Sequence, residues 1–525
     1  MKKTQTMLFG SFSLLLFLLS IILLILNIKV PEYGGDEVWF AMNLLNKRIA
    51  DLSLFEFVYS GPIKTIVTYF VFNTFGFNIY SVRLFSISVY VLGVVAWSFY
   101  LSKQKLSIAL ASGLILFSLN ADLLFFAKVD INQPTFHNMF FILHIILFLI
   151  IIRNSPNVLT GTMFIVFAFI ESNLHIRNIW IMNAFVLSFI LDYLLFTSNN
   201  PTCLKAIKQF LSKAWPIMSG WVVSLTYFLY TLIHFRSDPL VLMATANDKN
   251  TTYFQSISRS LQNLCDYIVG GRVFSYGYSN TTEALMITFT GFIFFILIII
   301  LFVRLFRDKR RSDHEWYFRM LIAMIVISIT IFIQYSVTKS SIQPWHGNHV
   351  MLLSLILFAL VIEGLFLINL KAIAWILLVS ISVVLFTIQC GLSKQVTTIN
   401  ENKRGFNLVV WQPISLTSLR NYIVDNPDTY LIADWEIGRP LILENHYSDL
   451  IASKLEFSTS PLSNEVINDL SGKLIIRSTE ITLTVPDWSD SELIKYNAKF
   501  EKIKDFKDNY NREVYQLGYI RKIEQ

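Results

Sequence analysis

The stretch Met7–Val30, MLFGSFSLLLFLLSIILLILNIKV, carries no charge before Lys29 and runs directly into Pro31–Phe40, PEYGGDEVWF. A helix through the first part would be roughly 36 Å long, enough to cross a hydrocarbon core of roughly 30 Å. Lys2 and Lys3 ahead of it give the outline of a signal peptide, but no small-x-small cleavage site follows, so it reads as a retained anchor. The second part then places two glycines and an acidic pair, Asp36 and Glu37, just beyond a membrane face.

The rest of the chain repeats that apolar pattern. Of 525 residues, 54% are hydrophobic, 45 are Phe and only 15% are charged, which is too apolar for an ordinary set of soluble domains. Runs long enough to span recur at Val82–Leu101, Leu106–Phe125, Pro134–Ile152, Val158–Ile170, Ile176–Phe196, Ala214–Ile233, Ala284–Val303, Met320–Val337, His349–Leu370 and Ala372–Cys390. With the first, about eleven spans are expected. Val158–Ile170 is the shortest and needs its polar flanks to cross.

The formal net charge is +7, but the basic residues fall in short gaps between apolar runs and not along one polar face, so nucleic acid is not an expected partner. With the N-terminus inside, the cytoplasmic gaps hold Lys103 and Lys105, Arg153, Lys205 with Lys208 and Lys213, Arg304 through Arg311, and Lys371. Every inside gap is basic, as membrane topology favours. The external face then comprises residues 31–81, the loop 234–283, the turn 338–348 and everything after Cys390. Within it, Pro62–Phe75 is apolar but too short to cross and reads as a helix in the membrane interface.

After Cys390 the composition turns to mixed charged and apolar residues. Strand-like runs at Thr429–Ala433 and Lys473–Ile476 and a helix-like stretch at Ser415–Val424 predict a small α/β domain. The expected fold is thus mainly α: a polytopic transmembrane domain over 1–390 and a small extracytoplasmic α/β domain over 391–525. The three cysteines, Cys203, Cys265 and Cys390, form neither a disulfide framework nor a metal-binding pair.

Two acidic positions carry candidate chemistry. Asp36 and Glu37 open a helix, where Asp is a favoured N-cap and carboxylates gain from the dipole; adjacent helical residues point about 100° apart, so one can face a substrate while the other braces the loop. Asp130, in Phe126–Pro134, falls at the external end of the third span, where a carboxylate either pairs with Lys128 or serves the same external site as Asp36. Among cations, Lys64, Arg83, His346 and His349 sit at external span mouths and either snorkel to the headgroups or grip an anion. His175, Arg177 and Arg272 are weaker candidates of the same kind.

In this order the motifs resemble the protein O-mannosyltransferase and aminoarabinose-transferase branch of the GT-C glycosyltransferases. Asp36-Glu37 after the first span looks like that family's Asp-Glu motif. Gly61-Pro62-Ile63-Lys64, followed by Phe75-Gly76 and Val82-Arg83-Leu84, resembles its proline-started juxtamembrane helix, its Phe-Gly turn and its entry into the second span. Lys128-Val129-Asp130 resembles its basic-x-acidic element, and Pro344–His349 its late external segment, with Asn348-His349 where relatives often carry Arg-Tyr. Pro62-Ile63 stands where relatives commonly have two prolines.

The resemblance implies transfer of a sugar, with inversion, from a polyprenyl-phosphate-linked donor to a lipid, glycan or protein acceptor on the external face of a membrane, a bacterial plasma membrane by the style of the sequence. It implies Asp36 as the base, Glu37 and Asp130 as orienting groups, and Lys64, Arg83, His346 and His349 on the donor phosphate; His175, Arg177 and Arg272 are weaker candidates for contact with substrate. No metal motif is visible and no cofactor is expected, although Asp36 with Asp130 offers the oxygen ligands a divalent ion would take. A transporter or flippase and a polysaccharide ligase are the rival readings. A transporter would be expected to show related halves or ion-coupling carboxylates in mid-span, of which Glu363 is the one example.

Overall fold

An apolar segment in lipid must satisfy its backbone internally, and the long runs accordingly form helices. A computed structural model describes residues 3–26, 63–76, 79–121, 123–124, 127, 134–175, 178–197, 203–234, 252, 254–258, 315–337, 348–398, 415–426, 428–432, 455–457, 463–478, 490–507 and 513–523. In chain order the apolar helices are α1 (Lys3–Leu26), α2 (Ile63–Phe75), α3 (Ile79–Lys103), α4 (Ser107–Leu119), α5 (Pro134–Arg153), α6 (Val158–Leu174), α7 (Asn178–Asp192), which runs on as a π turn at Tyr193–Thr197, α8 (Cys203–His234), α9 (Glu315–Val337), α10 (Asn348–Leu367) and α11 (Lys371–Thr398). Among the described residues seven helices are long and apolar enough to cross a membrane, and α4, α5 and α6 are shorter apolar helices. Together with Ala284–Val303, which lies outside the described residues, these are the eleven runs expected; seven spans are what length and composition support here. The chain has a multi-pass membrane fold.

The chain divides into two compact units, one of Met1–Asn27, Ile49–Val67 and Arg83–Gly391, the other of Ile28–Arg48, Thr68–Val82 and Leu392–Gln525. In the first unit α1 packs on α4, α4 on α10, α5 on α6, α6 on α8, and α7 on α8 and α9. Small residues set the closest approaches, as expected where lipid offers no hydrophobic drive between helices. A Cβ at Gly161 would lie 2.2 Å from the Trp215 ring, and one at Gly220 would meet Ala168, Met182 and Phe164. Around them Asn178 donates to the Ala168 carbonyl at 3.1 Å and to the Ser172 and Ser224 hydroxyls, which are 2.7 Å apart. Gly161→Val forces the Trp215 ring off α6, and overpacking of this kind costs about 1–3 kcal/mol. The expected result is a melting temperature several degrees below wild type in detergent; an unchanged melting curve would show that the ring moves freely.

One end of this unit gathers the basic residues. Arg319 on α9 forms a two-pronged contact with Asp192 on α7, at 2.9 and 2.7 Å, and also donates to the Ile152 carbonyl in the last turn of α5. Lys213 on α8 donates to the same carbonyl, and the Arg153 guanidinium lies 5.1 Å from the Trp316 ring centre. Cations at a helix C-terminus satisfy its free carbonyls and its dipole. Glu363 has a related structural job. α4 has no capping side chain of its own at Leu106, and the Glu363 carboxylate on α10 accepts the Ala109 N–H at 2.7 Å. Glu363 is therefore a cap donated by a neighbouring helix, with no ion-coupling role required.

In the second unit α12 (Ser415–Asp425), β1 (Tyr430–Ile432), β2 (Leu455–Phe457), α13 (Asn464–Leu470), β3 (Leu474–Ser478), α14 (Asp490–Ile494), β4 (Ala498–Lys507) and β5 (Glu513–Lys522) build a five-stranded sheet of order β2-β1-β3-β5-β4. β1 runs parallel to β2 and β3, pairing Tyr430 with Leu455 and with Leu474, while β5 runs antiparallel to β3 and β4. Leu431, Ile467, Leu470, Ile475, Leu493, Ala498 and Ile520 form the core. Ser463 caps α13 by accepting the Val466 N–H, and Gly518 is required because a Cβ there would lie 2.3 Å from the Glu501 carbonyl oxygen.

The β4–β5 ribbon is laced by ion pairs. The Lys499 ammonium, aided by Arg521, lowers the Glu501 carboxyl below its ordinary value of 4.5, and Lys502 with Gln516 does the same to Glu513. A carboxyl held low in the folded state stabilises fully above the unfolded value and loses that contribution as pH falls through the folded value. Amide protection in β4 and β5 of the intact protein should therefore drop as pH passes below about 4. Equal protection at pH 6 and pH 3 would count against these pairs.

Candidate functional site

At the end of the first unit opposite the basic one, three helix ends bring imidazoles together. Pro134 starts α5 at a position where a missing N–H is harmless, and places His137 in its first turn. α6 ends at His175, whose extended backbone donates back to the Glu171 carbonyl at 3.0 Å, while His349 is the second residue of α10. The His137 and His349 rings meet edge to face with centroids 4.1 Å apart, and the His137 and His175 rings stack at 6.2 Å. Phe141 closes on His349 at 5.5 Å. All three histidines are buried, at 3%, 6% and 7% exposure.

The last turn of α6 also fixes the juxtamembrane helix. The Asn173 side-chain oxygen accepts the Ile63 backbone N–H at 3.1 Å, so α6 supplies the cap for the first turn of α2. Lys64 is the next residue along α2, within the same unit; its backbone is described and its side chain is not. α2 stops at Gly76, whose φ of +80° ends the helix at the expected Phe-Gly turn, and the Ser81 hydroxyl donates to the freed Phe75 carbonyl at 3.0 Å. On α3 the Arg83 side chain is 0% exposed. It is therefore not a residue snorkelling to the headgroups, and a guanidinium so placed must be compensated inside the protein.

Deeper along α5, seven residues from His137, His144 contacts Glu171 of α6 at 2.6 Å, both side chains fully buried. The Phe164 and Phe185 rings lie 4.1 and 4.8 Å from the His144 ring and wall the pair off. This contact bolts α5 to α6 directly beneath the imidazole cluster.

Of the residues singled out in the sequence, His175 and His349 are thus brought together, through His137, and Lys64 is tied to the same end through Ile63 and Asn173. Arg83 is buried on α3. Asp36, Glu37, Asp130, His346, Arg177 and Arg272 lie outside the described residues. His137, His144, Glu171 and Asn173 were missed, although a signal was present: two histidines seven apart within an apolar run, and a Glu in the next run, are expensive in a membrane and mark a bundle interior. Among the described residues no group of three His, Cys, Asp or Glu side chains is placed to hold a metal ion.

Neither a protein-family model nor a curated protein matches the sequence. The chain has the GT-C membrane fold. The solved structures it resembles include ArnT from Cupriavidus metallidurans, in the apo state with a TM-score of 0.54 and bound to undecaprenyl phosphate with a TM-score of 0.53, each at 11% identity over 98% of both chains. An oligosaccharyltransferase from Archaeoglobus fulgidus, solved with Zn and sulfate, gives a TM-score of 0.48 at 12% identity over 88% of this chain and 68% of that one.

Proposed function

We propose that the protein is a membrane glycosyltransferase that moves a sugar from a polyprenyl-phosphate-linked donor to an acceptor on the extracytoplasmic face, with inversion. The observation that carries this reading is the likeness of fold, along nearly the whole chain, to ArnT bound to undecaprenyl phosphate. The ordered acidic and basic motifs at external span mouths support it independently.

In this reaction the bond between the anomeric carbon and the phosphate oxygen breaks, and the phosphate keeps the electron pair. An acceptor oxygen forms the new bond from the opposite face. A leaving phosphate is a weak base, so it needs charge stabilisation more than protonation, and Lys64 and Arg83 supply positive charge, with His346 and His349 as further contacts. An acceptor hydroxyl gains from a positioned carboxylate, which is the role given to Asp36, with Glu37 and Asp130 orienting it. His175, Arg177 and Arg272 are assigned to the substrates. The partners are the lipid donor, membrane lipid and a lipid, glycan or protein acceptor, and the location is a bacterial plasma membrane with the α/β unit outside.

Product analysis tests this. Purified protein given polyprenyl-phosphate-linked sugars and candidate acceptors should release one polyprenyl monophosphate for each sugar transferred, and the new linkage should have the anomeric configuration opposite to the donor's. A retained configuration, or a released diphosphate, would contradict it.

A further inference from the structure

The basic end of the membrane unit holds more positive charge than helix capping requires. One cation is enough to serve the Ile152 carbonyl, yet Lys213 on α8 and Arg319 on α9 both donate to it, at 3.3 and 2.7 Å. Two nitrogens on one acceptor can be no further apart than those distances together, so two like charges are held side by side. Arg153 follows Ile152 in sequence. Its guanidinium and that of Arg319 lie 5.1 and 5.8 Å from the centre of the same Trp316 ring.

The countercharges are fewer. Asp192 gives both carboxylate oxygens to Arg319, and Glu315, 3.9 Å from Arg319, is half-exposed. Lys213 is 8% exposed, and among the described residues its ammonium, with three N–H donors, has the Ile152 carbonyl as its one hydrogen-bond partner. Arg153 donates to the Gln104 side-chain oxygen. The buried Trp316 indole N–H has no acceptor among the described residues. Three cations thus face two carboxylates, and the cluster is rich in donors, short of acceptors and one positive charge in excess.

A phosphodiester supplies what is missing: it only accepts hydrogen bonds and carries one negative charge, and ionic bonds from Lys and Arg to such oxygens are strong. Its setting points to lipid as the source. Beyond the turn that follows Arg153, Val158 and Leu159 at the start of α6 are 78% and 69% exposed, as residues against acyl chains are, and Trp316 is of the type that sits at headgroup level. We infer that Lys213, Arg319, Arg153 and Trp316 form a headgroup site for an anionic phospholipid, at the end of the membrane unit away from the imidazole cluster. A zwitterionic phospholipid has the same phosphodiester but brings an ammonium to a cluster already in positive excess. Basic pockets between membrane helices take anionic headgroups on this principle.

The test is native mass spectrometry of the intact, delipidated protein in detergent, titrated with phosphatidylglycerol or with phosphatidylcholine of the same acyl chains. Wild type should bind its first phosphatidylglycerol several-fold more tightly than its first phosphatidylcholine. Each cation near a headgroup contributes about fivefold, so Lys213→Met and Arg153→Gln should each remove most of that preference. Lys371→Gln, which removes an exposed cation at the start of α11, should leave it unchanged. Arg153 is exposed, so its variant leaves the packed interior intact and the test does not depend on Lys213→Met folding. Equal affinities for the two lipids in wild type, or a preference that survives in the folded variants, would overturn the inference. Inorganic phosphate at millimolar concentration should not displace the first phosphatidylglycerol; if it does so fully, the site is one for free phosphate and the lipid assignment is overturned.

Discussion

Asp36→Asn should reduce sugar transfer by about 10² to 10⁴, the range a positioned base contributes, with the lipid donor still bound. Asn keeps the size of Asp and a side-chain oxygen able to cap a helix, while proton acceptance is lost. The measurement is the rate of labelled-sugar transfer at saturating donor, alongside donor binding and thermal melting. Loss of rate with unchanged melting and binding places Asp36 in the chemistry. Full activity in the variant would remove Asp36 as the base from the mechanism.

The second large effect concerns stability. Glu171→Ala takes the hydrogen-bond partner from the buried His144 ring between Phe164 and Phe185, and leaving a buried polar group unsatisfied costs about 1–3 kcal/mol. Glu171→Gln, which keeps a hydrogen-bonding oxygen toward the imidazole, should lose much less. Replacing both partners, as His144→Leu with Glu171→Leu, should recover most of the stability, because exchanging both partners of a buried hydrogen bond for apolar groups of similar shape is often nearly neutral. Melting curves in detergent decide among these. A single Glu171→Ala variant with wild-type melting would mean that the pair does not hold α5 to α6.

The membrane half was legible because apolar run length is a direct physical demand of the bilayer. Val158 begins α6 and Pro134 begins α5 at the expected residues, and Tyr430–Ile432, Leu474–Ser478 and Ser415–Asp425 fall on the stretches read as strand, strand and helix. What was not legible is interhelical. Nothing in the sequence around Glu363 says that its carboxylate caps α4 across the bundle, and nothing around Asn173 says that it receives the N–H of Ile63, because each contact joins residues more than a hundred positions apart. The division of the chain is partly of this kind as well: the second unit takes Thr68–Val82 in addition to the residues from Leu392 onward.

The candidate site was legible by halves. Sequence placed Lys64, Arg83, His175 and His349 at span mouths on one face, since helix alternation fixes sidedness, but could not choose which mouths converge. His137 was overlooked because it lies inside an otherwise apolar run, and the reason for its presence emerges only when α10 brings His349 against it. Arg83 illustrates the reverse. Snorkelling was an adequate explanation from sequence, and its complete burial removes that explanation.

The central claim is that this membrane protein breaks the bond between a sugar and a polyprenyl phosphate instead of carrying the lipid across intact. The most direct test reconstitutes the purified protein in vesicles containing a donor labelled in both its sugar and its phosphate, then follows the two labels with acceptor present. The account predicts that they part, the sugar appearing on the acceptor and the phosphate remaining on the lipid. Labels that stay together, with the intact lipid moving from one leaflet to the other, would contradict it and favour a flippase.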